Sequence, residues 1–266
     1  MRRAVLSGLL LLPATAVIWL VAAYLILPSA WRHFEHQPGL EPKPMLTTTV
    51  QGIPGDPINI GLVGSKSEVI GAFVQAGWHP ADPITLRTSA EIGMSVLLDR
   101  PYPDAPVSAL LYDGRPQDLA FEKPAGLSAR QRQHARLWLV LDKGAEGRPV
   151  WLGCVSFDES VGFSHDTGQI THHIAPDLDA ERDRLMRELS TARVLTSMYW
   201  VSGIGPTLIG RNGGGDRYFT DGEVLVGVIA LPGEAQPDKP VEPRPEPPAV
   251  AAQHKLWSLL TSLVRF

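Results

Sequence analysis

The sequence predicts an α+β protein: a single domain with one mainly antiparallel sheet of about six to eight strands, covered by helices on one face, plus an N-terminal transmembrane helix. Three observations lead there. Residues 4–27 carry no charged side chain, a run long enough as a helix to cross a hydrocarbon core of about 30 Å. From Val107 onward, short apolar segments follow one another across Asp113-Gly114 and Lys143–Gly147, the pattern of hairpin-linked strands. Amphipathic stretches beginning near Ser65, Thr85 and Asp177 supply the helices.

Taken in order, residues 1–31 read as the anchor, with Trp31 and Arg32 at its far interface. The apolar core is longer than a signal-peptide core of about 7–15 residues and precedes no A-x-A site, which favours an uncleaved helix. Arg2, Arg3 and the amino terminus outweigh the mixed charges after the span, so the expected topology is single-pass in the inner membrane with the body on the periplasmic or extracytoplasmic side. Residues 32–55 are a proline-containing linker, and the domain occupies 56–231.

Within the domain, Ile58–Gly64 predicts a strand and Ser65–Gly77 a helix capped by Ser65 or Ser67. The turn GLVGSK lacks the glycine spacing of a phosphate-binding loop and reads as a plain helix cap. A second helix over Thr85–Asp99 is followed by strands at Val107–Tyr112, Gln117–Phe121, His134–Leu141 and Val150–Phe157. In the third of these, Ala135, Leu137, Leu139 and Leu141 form one face, while His134 and Arg136 begin the other ahead of Trp138 and Val140. Strands at Val194–Val201 and Val224–Leu231 bracket the loop GIGPTLIGRNGGGDRYFTDGE. Residues 232–250 are a proline-rich, solvated tether, and 251–266 an amphipathic helix too short to span a membrane.

A net charge of −4 and a pI of about 6.1, with no basic stripe, exclude nucleic acid as a partner. The single cysteine, Cys154, lies in an apolar strand and reads as a buried thiol.

Chemistry concentrates between Trp151 and Leu189. Val161 and Phe163 alternate on one side of Asp166-Thr167-Gly168, and Ile170 and Ile174 on the other, which predicts a hairpin whose loop holds an even number of residues. His165 and His172 then share a face, and His173 points away. With a Thr167-Gly168 loop, His165 faces Ile170 and lies about 7–8 Å diagonally from His172. Asp177 caps the helix that follows, which runs to about Ser190 with Leu178, Leu185, Met186 and Leu189 as its apolar stripe. Arg182 falls inside that stripe and needs a partner: a buried carboxylate such as Asp118, Asp166 or Asp179, or an anionic ligand. The region therefore admits a buried polar network, a metal site on His165, His172 and Asp177 with a divalent metal as candidate cofactor, or an anion site. The candidate binding residues are Asp118, His134, Arg182, Asp216 and Arg217.

Six stretches carry a resemblance: DPINIGLVGS, AGWHPADP, RPYPDAPVSALLYDGRPQDLAFEKP, HARLW, RPVWLGCVSFDESVGFSHDTGQITHHIAPDLDAERD and NGGGDRYFTDGE. Over about Asp56 to Leu231 the chain resembles the LssY C-terminal-like domain family. That family is named for a protein rather than a reaction, so the resemblance implies an association with the bacterial envelope and no particular chemical step. Related domains are often appended to multi-helix membrane proteins of the DedA type or to lipid-phosphatase-like domains; here one anchor helix stands in that place. The expected function is a membrane-anchored envelope protein acting as a binding or accessory module for an anionic or lipid component. The alternative is a metal-dependent hydrolase with a His/Asp site and a bound water as nucleophile.

Overall fold

The computed structural model describes residues 2–26, 37–40, 42–81, 110–125, 131–163, 168, 170–202, 208–234, 237–246, and 248, 251, 252, 255, 256 and 259. The expected helix Thr85–Asp99, His165, Asp166 and most of the amphipathic segment 251–266 lie outside these residues. The chain divides into two compact units, one of His36–Arg244 and one of Met1–Glu35 with Pro245–Phe266.

The first unit contains the sheets. In chain order the strands are β1 (Leu46–Thr48), β2 (Pro54–Pro57), β3 (Ile60–Val63), β4 (His79–Pro80), β5 (Leu111–Tyr112), β6 (Arg115–Pro116), β7 (Leu119–Pro124), β8 (Arg132–Leu141), β9 (Val150–Phe163), β10 (Ile170–Ile174), β11 (Leu195–Ser202), β12 (Ile209–Arg211), β13 (Arg217–Phe219) and β14 (Glu223–Ile229). The main sheet runs β11-β14-β3-β9-β8-β7-β4, with β10 also on β9. Every pairing in it is antiparallel except β14 with β3. A smaller sheet runs β2-β1-β5-β6, and β12 and β13 form a hairpin.

Both faces of the main sheet are apolar. On one, Ile60, Leu62, Phe121, Ala135, Leu137, Trp151 and Leu225 pack with residues of two helices. On the other, Val63, Trp138, Leu152, Cys154, Val224 and Val226 pack with Leu40, Leu110 and Tyr112, so the smaller sheet and the chain entering the unit bury that face. Burial pushes the Cys154 thiol up to about 12, as an inert apolar residue requires.

The two helices follow their local signals. Lys66–Gln75 starts at a capping box in which Ser65 accepts from the Glu68 amide while the Glu68 side chain accepts from the Ser65 amide. Leu178–Thr191 is capped by Asp177 and buries Leu178, Leu185, Met186 and Leu189. They are 10 and 14 residues long. Strand predominates, at about 40% against 25% helix, and the helices do not cover the sheets. The α+β expectation is therefore corrected to a mostly β fold: the two short helices pack on one face without covering it, and the opposite face, for which the sequence reading named no cover, is buried by a second sheet.

The second unit carries a further correction. Its helix Arg2–Val21 contains Pro13 and passes into a π-helical turn over Ala22–Ile26. Among the described residues no helix is long and apolar enough to cross a membrane, which overturns the expected transmembrane helix.

One side chain joins the layers around β9. Just before β3, Asn59 donates through Nδ2 to Val155 O (3.0 Å) and Leu178 O (3.3 Å), and accepts from Val155 N (2.9 Å). It thus supplies the hydrogen bonds of a strand residue in the gap between β3 and β10. Asn59→Ala leaves these main-chain groups buried and unmatched, with an expected loss of about 2–4 kcal/mol in unfolding free energy, measured by chemical denaturation.

Candidate functional site

A polar centre grows out of the alternation of β8. Arg132, His134 and Arg136 share the face that continues into Trp138, and the register sets Arg132 against Asp158, His134 against Ser156 and Arg136 against Cys154. Glu122 of β7 lies across from His134 on the other side. One end of this face is apolar core; the other is charged yet equally buried.

A bulge completes the centre. β10 pairs His172 with Val161 and His173 with Ser160, then skips Glu159 so that Ile174 meets Asp158. Residues 172 and 174 share a face, so the skipped residue brings Asp158 to the side of His172, a position that Glu159 would otherwise take. Phe163 pairs with Ile170, which leaves an even number of residues between them and also means that Ile170 is not the partner of His165. Phe163 is 70% exposed, so this end of the hairpin is not core, in contrast to the expected apolar face.

Asp158 Oδ2 lies 3.1 Å from His134 Nδ1, 2.9 Å from His172 Nδ1 and 4.0 Å from Arg132 Nε. Arg132 Nη1 reaches Glu122 Oε2 at 3.3 Å, and Nη2 lies 2.8 Å from His172 Nε2. A guanidinium only donates, so His172 Nε2 accepts and the ring proton sits on Nδ1, toward Asp158. Burial holds His134 well below the usual imidazole range, helped by the charges of Arg132 and Arg136 and opposed by Asp158. Burial alone would raise Asp158; His134, His172 and Arg132 outweigh it and hold the carboxyl below its usual range. Even so, Arg132 Nε and His134 Nε2 are buried without an aligned hydrogen-bond partner among the described residues.

His173 points the other way, as expected, and meets a second aspartate: Nδ1 lies 2.7 Å from Asp216 Oδ1, while Asp216 Oδ2 accepts from Ile174 N at 3.1 Å. The turn between β12 and β13 delivers Asp216. Asn212 Oδ1 accepts from the amides of Gly214 and Asp216, and a Cβ on Gly213 would collide with Thr49 Cγ2. Asp56 lies between the two His–Asp pairs, 3.4 Å from Arg136. Burial raises its pKa, with Asp158 and Asp216 adding to the effect and Arg136 and Asn212 opposing it.

Arg182 is saturated. Its Nη1 and Nη2 fork onto Asp221 at 2.7 and 3.0 Å, Nε donates to Asp183 at 2.9 Å, Asp179 lies at 3.4 Å, and the guanidinium sits 4.8 Å over the Trp200 ring. Of the partners expected for it, Asp179 is present, Asp118 is not, and Asp166 is outside the described residues. Burial pushes Asp179 up to about 7, with Asp221 reinforcing the shift and Arg182 opposing it.

The remaining expected residues separate. Asp118 accepts from Leu139 N at 2.8 Å, toward the opposite end of β7 and β8 from His134. Arg217 is exposed at the start of β13, across from Arg211. Asp177 accepts from Ala180 N at 3.1 Å as a helix cap, whereas His172 belongs to the centre on Asp158. Among the described residues no group of three His, Cys, Asp or Glu side chains is arranged to hold a metal ion. Sequence reasoning missed Arg132, Glu122, Asp158, Asp56 and Asn212. Asp158 had a signal, since Leu152, Cys154 and Ser156 lead to it at strand spacing; Asp56 and Asn212 reach the centre only through long-range packing.

A mostly β domain with a buried histidine–aspartate–arginine face is the class these features define. The chain belongs to the LssY C-terminus family, which matches residues 36–224. No curated protein and no solved structure matches it.

Two outcomes follow from these geometries. Arg182→Met is expected to lower the unfolding free energy by about 2–4 kcal/mol, less than a wholly buried pair would lose because Asp221 remains 20% exposed; chemical denaturation measures it. The pH response of His134 has a defined sign. Its folded pKa is depressed, so the unfolded chain binds the proton first, and stability falls as pH drops below the unfolded value of 6.5 toward the folded one. The slope from this residue reaches at most about 1.4 kcal/mol per pH unit, and His134→Asn is expected to flatten the curve of denaturation midpoint against pH below 6.5.

Proposed function

We propose that the domain is a binding or accessory module of the bacterial envelope, and that its ligand site is the Arg132–His134–Asp158–His172 centre. The observation that carries this reading is the pair of unmatched buried polar atoms, Arg132 Nε and His134 Nε2, beside a histidine that is 26% exposed. Arg182, for which the sequence left open a buried carboxylate or an anionic ligand, is occupied by Asp221 and its neighbours. That role passes to Arg132.

The ligand is an anionic component of the envelope, its oxygen accepting from Arg132 Nε. Arg132 and Arg136 are already paired with Glu122 and Asp56, so an added negative charge is matched by a proton taken up on His134, which burial otherwise keeps neutral. A hydrolase is less well supported by the same geometry. The Nε2 of His172 is engaged by Arg132, and the Nε2 of His134 is buried 3.8 Å from Glu122, so neither ring offers a general base to solvent.

Titration calorimetry with glycerol phosphate, run in buffers of different ionisation enthalpy, tests the reading. Binding with proton uptake is expected, weakened about 10- to 100-fold by Arg132→Gln. Absence of binding by the folded wild-type chain would remove the proposal.

A further inference from the structure

One edge of the Arg132 guanidinium is only half filled. Its Nη1 is committed to Glu122 Oε2 at 3.3 Å, and Glu122 is wholly buried. A further edge of the plane carries Nε and Nη2, whose N–H bonds run nearly parallel and match two oxygens borne on one atom. Here the two donors differ. Nη2 meets His172 Nε2 at 2.8 Å, while Nε is buried without an aligned partner, 4.0 Å from Asp158 Oδ2. An imidazole nitrogen offers a single lone pair, so it fills half of a fork. In Arg182 the corresponding pair of donors is filled, with Nη1 and Nη2 both on Asp221.

His172 is the member of the centre with room to leave. Its side chain is 26% exposed, whereas Arg132, His134 and Asp158 are buried. Its cross-strand partner Val161 is half-buried, and Phe163, next along that face, is exposed, so a ring turned outward meets solvent rather than core. The main chain beside it is pinned, because Ile174 N donates to Asp216 Oδ2 at 3.1 Å.

We infer that His172 is the gate of the ligand site: its ring turns out as the ligand arrives, and a phosphate monoester takes Nε and Nη2 of Arg132 as a bidentate fork. This gate presupposes the anion site proposed for the same centre, and it adds the group recognised and the residue that admits it. Rotation about χ1 of His172 uncovers the fork, and Asp158 retains His134 Nδ1 at 3.1 Å. A protonated His134 Nε2 is a third donor in the centre. Three donors suit the three terminal oxygens of a phosphate monoester, where a carboxylate has two.

Full-length wild type and His172→Ala are titrated with glycerol phosphate and, in a second arm, with phosphatidylcholine vesicles with and without phosphatidic acid. The arm that binds more tightly identifies a free ester or a lipid headgroup as the source. In that arm His172→Ala is expected to bind about 10-fold tighter than wild type, because the imidazole no longer competes for Nη2. Arg132→Lys, which keeps the charge and loses the fork, is expected to bind about 10-fold more weakly. Binding by wild type that His172→Ala weakens or leaves unchanged would overturn the gate and leave the anion site standing. No binding by wild type and variant alike would remove the anion site, and the gate with it. The wild type alone supplies a readout independent of the variant's folding: carbethoxylation of His172 by diethyl pyrocarbonate, located by mass spectrometry. Saturation with glycerol phosphate is expected to speed this reaction several-fold. Protection by the ligand, or an unchanged rate, would likewise overturn the gate.

Discussion

The carboxylate of Asp158 is the constraint around which the domain is arranged. It sits 2% exposed within the sheet, and a carboxylate there is stable only if the surroundings replace its water. His134, His172 and Arg132 do so from two different strands. Arg132 in turn needs Glu122, and His134 lies between the two carboxylates, so removing any one member leaves another charge or lone pair buried without its counterpart.

Backbone devices assemble that set. The bulge at Glu159 changes which face of β9 meets β10 and brings Asp158 beside His172. Asn59 spans the place where β3 has ended and β10 has not begun, holding Val155 and the start of the helix at Leu178 together. The glycine turn at 213–215 packs against Thr49 and carries Asp216 under His173. These features lie at successive points along one strand, which is why the polar residues gather at one end of β9 while Leu152 and Cys154 remain in apolar core at the other.

Arg182 shows how the same residue type serves different ends in one fold. It is as buried as Arg132, but its fork is filled by Asp221, and its remaining donors by Asp183, Asp179 and Glu223 O. Arg132 has Glu122 and His172 on its terminal nitrogens and an unmatched Nε. The first is a joint between a helix and the turn before β14; the second leaves a donor facing the polar centre.

The sequence by itself determined the local elements. The Ser65 and Asp177 caps, the stripe of Leu178, Leu185, Met186 and Leu189, the two faces of β8 and the opposite directions of His172 and His173 follow from periodicities of 3.6 and 2 and from side-chain capping, all set within a few residues. Tertiary structure alone decided the partners. Asp221 rather than Asp118 meets Arg182, Asp158 rather than Asp177 meets His172, and Asp56 stands between two histidine–aspartate pairs from positions far away in the chain. Periodicity assigns a residue to a face but not to a neighbour, and one bulge is enough to exchange the faces. The balance of strand over helix was hidden for the same reason: an apolar sheet face is buried equally well by a helix or by another sheet, and only the fold chooses between them.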